Sequence, residues 1–219
     1  MYSKIKRFMG WTLENGKKEV FITFIFYLTL VAIGIELPSW IYMICTIIFI
    51  IIFTIVVKCF GIRYINEIFK FNLLKTFRQI IKEILVFIPF MILTTYVINL
   101  YIKGQPLNQV NINRDFYKAP ILYSICMIGI GPAAEEISFR FIPSKFMKGK
   151  VLYIIISSIA FAGMHVVNDP KRFYYIWCYL PDAIYYGYRY YKTKNIWITI
   201  SLHSFHNIGH FLKIFHSYM

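Results

Sequence analysis

Apolar runs long enough to cross a hydrocarbon core recur along this 219-residue chain, at 20–35, 37–57, 84–102, 119–134 and 151–168. A core of ~30 Å needs ~20 apolar residues per helix, and ~17–25 are tolerated. Two further runs, 173–191 and 196–215, are diluted by aromatic residues and histidine. The pattern predicts an all-α, polytopic membrane protein of about seven transmembrane helices. Between the second and third runs, residues 60–83 alternate basic residues with Ile65, Ile68, Phe69, Leu73 and Phe77, the spacing of an amphipathic helix on the cytoplasmic face. Residues 103–118 hold Gly104, Pro106 and three asparagines and read as an outer loop. No Gly/Ser linker, low-complexity tract or internal repeat divides the chain. We therefore read a single structural domain, with N-terminal helices and the amphipathic segment in 1–118 and a polar-lined helical core in 119–215.

Composition supports the membrane reading and removes one rival. The chain is 58% hydrophobic and 20% aromatic, with a mean hydropathy of +0.58, more apolar side chain than a soluble domain of this size can hide. A net charge of +14 could suggest nucleic acid. With the N-terminus cytoplasmic and seven crossings, however, eighteen of the twenty-four Lys and Arg fall on the inner side. The positive-inside rule accounts for that bias, membrane lipids with anionic headgroups take up the rest, and no nucleic-acid partner is expected. A multi-pass protein of a bacterial cell membrane is the resulting localisation. The first apolar run reads as a retained helix rather than a cleaved signal. Cys45, Cys59, Cys126 and Cys178 lack CxxC spacing and read as small buried hydrophobes.

Three polar sets interrupt the later apolar runs. Glu135, Glu136 and Arg140 follow sixteen uncharged residues, His165 lies late in the fifth run, and His203 and Asn207 lie in the seventh. Ionisable groups are expensive in a bilayer and usually line a cavity or pair with one another, so these sets predict a polar intramembrane cavity. Glu136 and Arg140, four apart, share a helical face and can neutralise each other. Glu135, turned by about 100°, is free of that pair. A carboxylate in an apolar pocket suits a general base. His203 and Asn207 also share a face and can offer two hydrogen bonds to a developing oxyanion. Phe161 lies one turn before His165. His206 and His210 add imidazoles on the same arc, which suits either an interfacial helix or zinc, but no HExxH is present. No Ser or Cys stands in a nucleophile motif, so the sets suggest attack on an amide by activated water. A straight-helix ruler sets Glu135 and His165 about 15 Å apart in depth. Their meeting requires tilted, shifted or broken helices, with Gly131 and Pro132 as the candidate break.

EEISFR, FAGMH and HSFHN, in that order, resemble the EExxxR, FxxxH and HxxxN motifs of the CAAX protease and bacteriocin-processing family. This is the Abi family, which includes the type II CAAX prenyl endopeptidases. Phe139 and the stretch GYRYYKTKNIWITISLHSFHN agree with it. The resemblance covers about 119–210. It implies a membrane-embedded endopeptidase in which Glu135 and His165 activate water and His203 and Asn207 hold the oxyanion. Glu136 and Arg140 would give structural support with Phe161, and no metal or other cofactor is implied. The substrate would be a membrane-associated peptide or lipid-anchored protein, with bacteriocin self-immunity or peptide maturation as the setting. The alternatives are a non-catalytic immunity or accessory protein that acts by binding, its motifs holding helices together, and a transporter with a proton site at Glu135. No paired broken helices in two repeats support the transporter.

Overall fold

The computed structural model describes residue 68 and residues 72–117, 120–145, 147, 149–167 and 170–218. The first two apolar runs, Cys45, Cys59 and most of 60–72 lie outside the described residues. The chain divides into two compact units, Met1–Lys70 and Phe71–Met219, and the second holds all three motifs. Its regular structure is helical throughout the described residues. In order come α1 (Leu73–Tyr101), α2 (Leu107–Phe116), α3 (Pro120–Ile125), a π-helical turn (Cys126–Ile130), α4 (Gly131–Glu136) and a second π-helical turn (Ile137–Phe141). A 3-10 turn (Pro143–Lys145), α5 (Lys150–Val166), a 3-10 segment (Pro170–Cys178), α6 (Leu180–Thr193) and α7 (Ile196–Tyr218) complete it.

Among the described residues, α1 is the helix long and apolar enough to cross a membrane, with a mean hydropathy of 2.0 over its best window. Leu85, Val86, Ile92, Leu93 and Tyr96 point outward from it. α5 is apolar but has 17 residues. A membrane protein is thus supported.

Three expectations are corrected. The amphipathic segment does not end at residue 83, because α1 runs unbroken from Leu73. Asn72 caps it, its side chain accepting from the Lys75 amide at 2.9 Å. The polar residues of its first turns are used by the protein: Glu83 is buried and paired with Arg189, and Asn195 donates to Thr76 Oγ1 at 3.0 Å. Residues 103–118 are not a plain loop, since Leu107–Phe116 is helical. Gln109 donates to Asn113 one turn on at 2.9 Å, and Phe116 is fully buried with its ring edge-on to Phe211 at 5.8 Å. The run 173–191 is not one helix either. The Pro181 ring would clash with a helical carbonyl at residue 177, so α6 starts only at Leu180, with Pro181 in its first turn.

The core forms where α1, α6 and α7 meet, around Phe87, Tyr186, Ile198 and Leu202. α6 also lies close against α5 at Gly187, where a Cβ would come within 3.3 Å of Ser158 Oγ and 3.4 Å of Ser157 Oγ. Gly187→Leu should therefore overpack this contact and cost about 1–3 kcal/mol, read as a lower thermal unfolding midpoint in detergent. An unchanged midpoint would show that the two helices can separate freely there.

Candidate active site

The helix bearing the glutamates is widened on both sides of them. Pro132 has no amide hydrogen, and Gly131 sends its own back five residues to the Cys126 carbonyl. A Cβ at Gly131 would stand 2.9 Å from that oxygen, so glycine is needed here. The Met127 carbonyl thus has no helical donor, because Gly131 is committed elsewhere and Pro132 has nothing to give. Asn207 of α7 fills that role, its Nδ2 donating to the Met127 oxygen at 2.7 Å. The Gly-Pro pair and the asparagine of the third motif are therefore two halves of one contact. π-helical turns inside α-helices frequently mark functional sites.

Glu136 and Arg140 are fully buried. Arg140 Nε lies 3.4 Å from Glu136 Oε2, the expected i,i+4 pair. Arg140 Nη1 donates to the Ser157 carbonyl at 2.9 Å, and its guanidinium sits 4.9 Å from the Phe161 ring centroid. Tyr153 donates back to the Arg140 carbonyl at 3.2 Å. The other Glu136 oxygen, Oε1, is 3.1 Å from His203 Nδ1. A carboxylate can only accept, so Nδ1 carries the proton and Nε2 is the nitrogen turned toward Glu135.

Glu135 Oε2 lies 3.7 Å from His165 Nε2 and 3.8 Å from His203 Nε2. His165 Nδ1 donates to the Phe161 carbonyl at 2.9 Å, which likewise leaves its Nε2 toward the carboxylate. Both separations exceed a direct hydrogen bond and suit a bridging water. Phe161 stands between the two histidines, 4.7 Å from His165 and 5.6 Å from His203 by ring centroids.

The depth problem disappears in the tertiary arrangement. The Arg140–Ser157 and Tyr153–Arg140 bonds set Arg140 opposite the 153–157 turn of α5 rather than opposite its first turn. From there Glu135 is ~7.5 Å further along one helix and His165 ~12 Å along the other, a gap that two side chains span. The fourth apolar run continues past the glutamates, as its sequence predicts, with helix from Pro120 to Phe141.

His206 and His210 stand apart from this cluster. His206 Nδ1 is 3.0 Å from Asp182 Oδ2, and its Nε2 is 3.0 Å from His210 Nε2. Neither Asp182 nor the Glu83–Arg189 pair was legible as a partner in the sequence, since each contact joins different helices and lies beyond any single-helix spacing. Among the described residues no group of three or more His, Cys, Asp or Glu is arranged to hold a metal ion. Cys126 and Cys178 are free and half-buried.

An all-helical membrane domain with a buried glutamate–arginine pair and a glutamate facing two histidines defines a narrow class. Residues 117–209 match the family model described as type II CAAX prenyl endopeptidase Rce1-like, consistent with the CAAX protease family whose motifs this stretch resembles. The match spans all three motifs. No curated protein and no solved structure is a significant match for the chain.

Proposed function

We propose that this protein is an intramembrane endopeptidase that hydrolyses a peptide bond of a membrane-associated peptide or lipid-anchored protein with water activated by Glu135 and His165. The observation that carries this reading is Glu135 Oε2 facing His165 Nε2 at 3.7 Å while Glu136 is taken up by Arg140 and His203. A water between them gives one hydrogen to the carboxylate and the other to the His165 lone pair. Its own lone pair then faces the substrate carbonyl. Glu135 takes the proton as the water oxygen bonds to the carbonyl carbon. It returns that proton to the departing amine as the C–N bond breaks.

The oxyanion is held by His203 Nε2–H and Asn207. A doubly protonated His203 ring is balanced by the buried Glu136 carboxylate at its Nδ1. Asn207 has two amide hydrogens and commits one to the Met127 carbonyl, which leaves the second for the substrate. The setting is bacteriocin self-immunity or maturation of a secreted peptide, with multiple crossings of the cell membrane and the N-terminus in the cytoplasm.

The test uses purified protein in detergent against a quenched peptide library and a prenylated CAAX peptide. Cleavage is expected, and it should survive a chelator because carboxylate and imidazole supply the base. Loss on chelation with recovery on added zinc would overturn the metal-free mechanism and make Glu135 and the histidines ligands. The bond from Asn207 to Met127 also suits the rival reading, in which the motifs only tie helices together for binding. That reading requires Glu135 variants to keep full function in cells.

A further inference from the structure

None of the three motifs lies on α6 or on the residue just before it, yet this segment closes the site. Tyr179 precedes α6, and its ring lies 4.6 Å from the His165 ring at 33°. Phe161 covers the imidazole at 4.7 Å and 38°. Tyr186 is stacked on His203 at 5.4 Å and 22°, while Phe161 presents its edge at 5.6 Å and 70°. Seven residues separate the two tyrosines, which returns a helix to nearly the same face, about 20° off. Tyr186 is itself braced. It is buried and lies 5.6 Å from the Phe87 ring, with its hydroxyl 3.5 Å from His206 Nδ1. His206 in turn meets Asp182.

Each histidine is held by one hydrogen bond at Nδ1, to the Phe161 carbonyl or to Glu136. One bond aims Nε2 but leaves the ring free to rock about it. An aromatic face against the imidazole removes that freedom, since offset stacking has a preferred distance and tilt. Small misplacements of reacting groups are costly to rate.

We propose that Tyr179 and Tyr186 are positioning residues of this site, each walling one histidine and keeping its Nε2 on Glu135. The proposal rests on the reading of Glu135, His165 and His203 as the reacting set. The face of each ring does the positioning, and the 3.5 Å approach of the Tyr186 hydroxyl to His206 is too long to be essential to it.

The test compares Tyr179→Met and Tyr186→Met, which fill the space without a planar face, with Tyr179→Phe and Tyr186→Phe, in the full chain in detergent. Leucine replaces methionine at either site if the first variant does not accumulate. The readouts are kcat and KM across the pH profile, and the ring-nitrogen NMR signals of 15N-histidine-labelled protein, assigned through His165→Gln and His203→Gln. The Met variants should lose about tenfold to a hundredfold in kcat at unchanged KM, shift a limb of the pH profile, and move the signals of the facing histidine. The Phe variants should behave as wild type. Met variants with wild-type kcat, pH profile and ring signals overturn the proposal, even if they melt earlier, because the tyrosines would then be core packing alone. If the wild-type protein cleaves nothing, the ring signals still decide. Moved signals uphold the positioning role while the protease reading falls, and unmoved signals reject it.

Discussion

Glu135→Gln should abolish cleavage while leaving the folded protein intact. The amide has the shape of the carboxylate but cannot take a proton from water, and loss of a general base typically costs about 10²–10⁴ in rate. Glu135 is the one carboxylate of the cluster outside the buried ion pair, and its side chain is 23% exposed. Its neighbours are arranged without it: His165 is held by Phe161 and His203 by Glu136. The thermal midpoint should therefore stay near wild type as kcat collapses. Both are read on one preparation, kcat with a quenched peptide and the midpoint by unfolding in the same detergent. Cleavage that persists in Glu135→Gln would end the glutamate mechanism.

Arg140→Leu should do the opposite, with the fold failing first. Arg140 is fully buried and touches four elements of the site through its pair with Glu136, the Ser157 carbonyl, the Phe161 face and its own carbonyl's bond from Tyr153. Removing it leaves the Glu136 carboxylate buried with only His203 beside it. Breaking a buried pair by deleting one partner costs about 3–5 kcal/mol, a large share of the ~5–15 kcal/mol that holds an ordinary soluble domain together. Glu136→Gln should lose less, because no carboxylate is left buried and the amide oxygen still accepts from one of the two donors, although its NH2 then faces the other. The check is the unfolding midpoint and the amount of protein that accumulates in the membrane. An Arg140→Leu protein as stable as wild type would show that the pair is not holding the helices. The contrast between Glu135 and Glu136, adjacent in sequence and opposite in expected effect, is the sharpest statement the site makes.

Periodicity carried the helical class, and four-residue spacing carried the Glu136–Arg140 pair with Glu135 left out of it. Both are local: a helix turns about 100° per residue wherever it sits, so face-sharing can be read without knowing the neighbours. The same reasoning misjudged 103–118 and 173–191, because asparagine content and aromatic dilution say little once Phe116 is anchored on Phe211 or Pro181 resets a helix start.

What the sequence determined by itself is which groups are available for chemistry: an unpaired glutamate, a phenylalanine and histidine one turn apart, and a histidine and asparagine one turn apart. What only the tertiary structure decided is how they meet. Gly131 and Pro132 leave the Met127 carbonyl without a helical donor, and Asn207 comes from eighty residues away to supply one. Arg140 sets the stagger that brings Glu135 level with His165. Tyr179 and Tyr186 close on the two imidazoles from α6 and the residue just before it, a segment that carries no motif. The reason is physical: an orphaned carbonyl, a buried guanidinium and an aromatic face each need a partner, and spacing along the chain does not say which distant side chain will supply it.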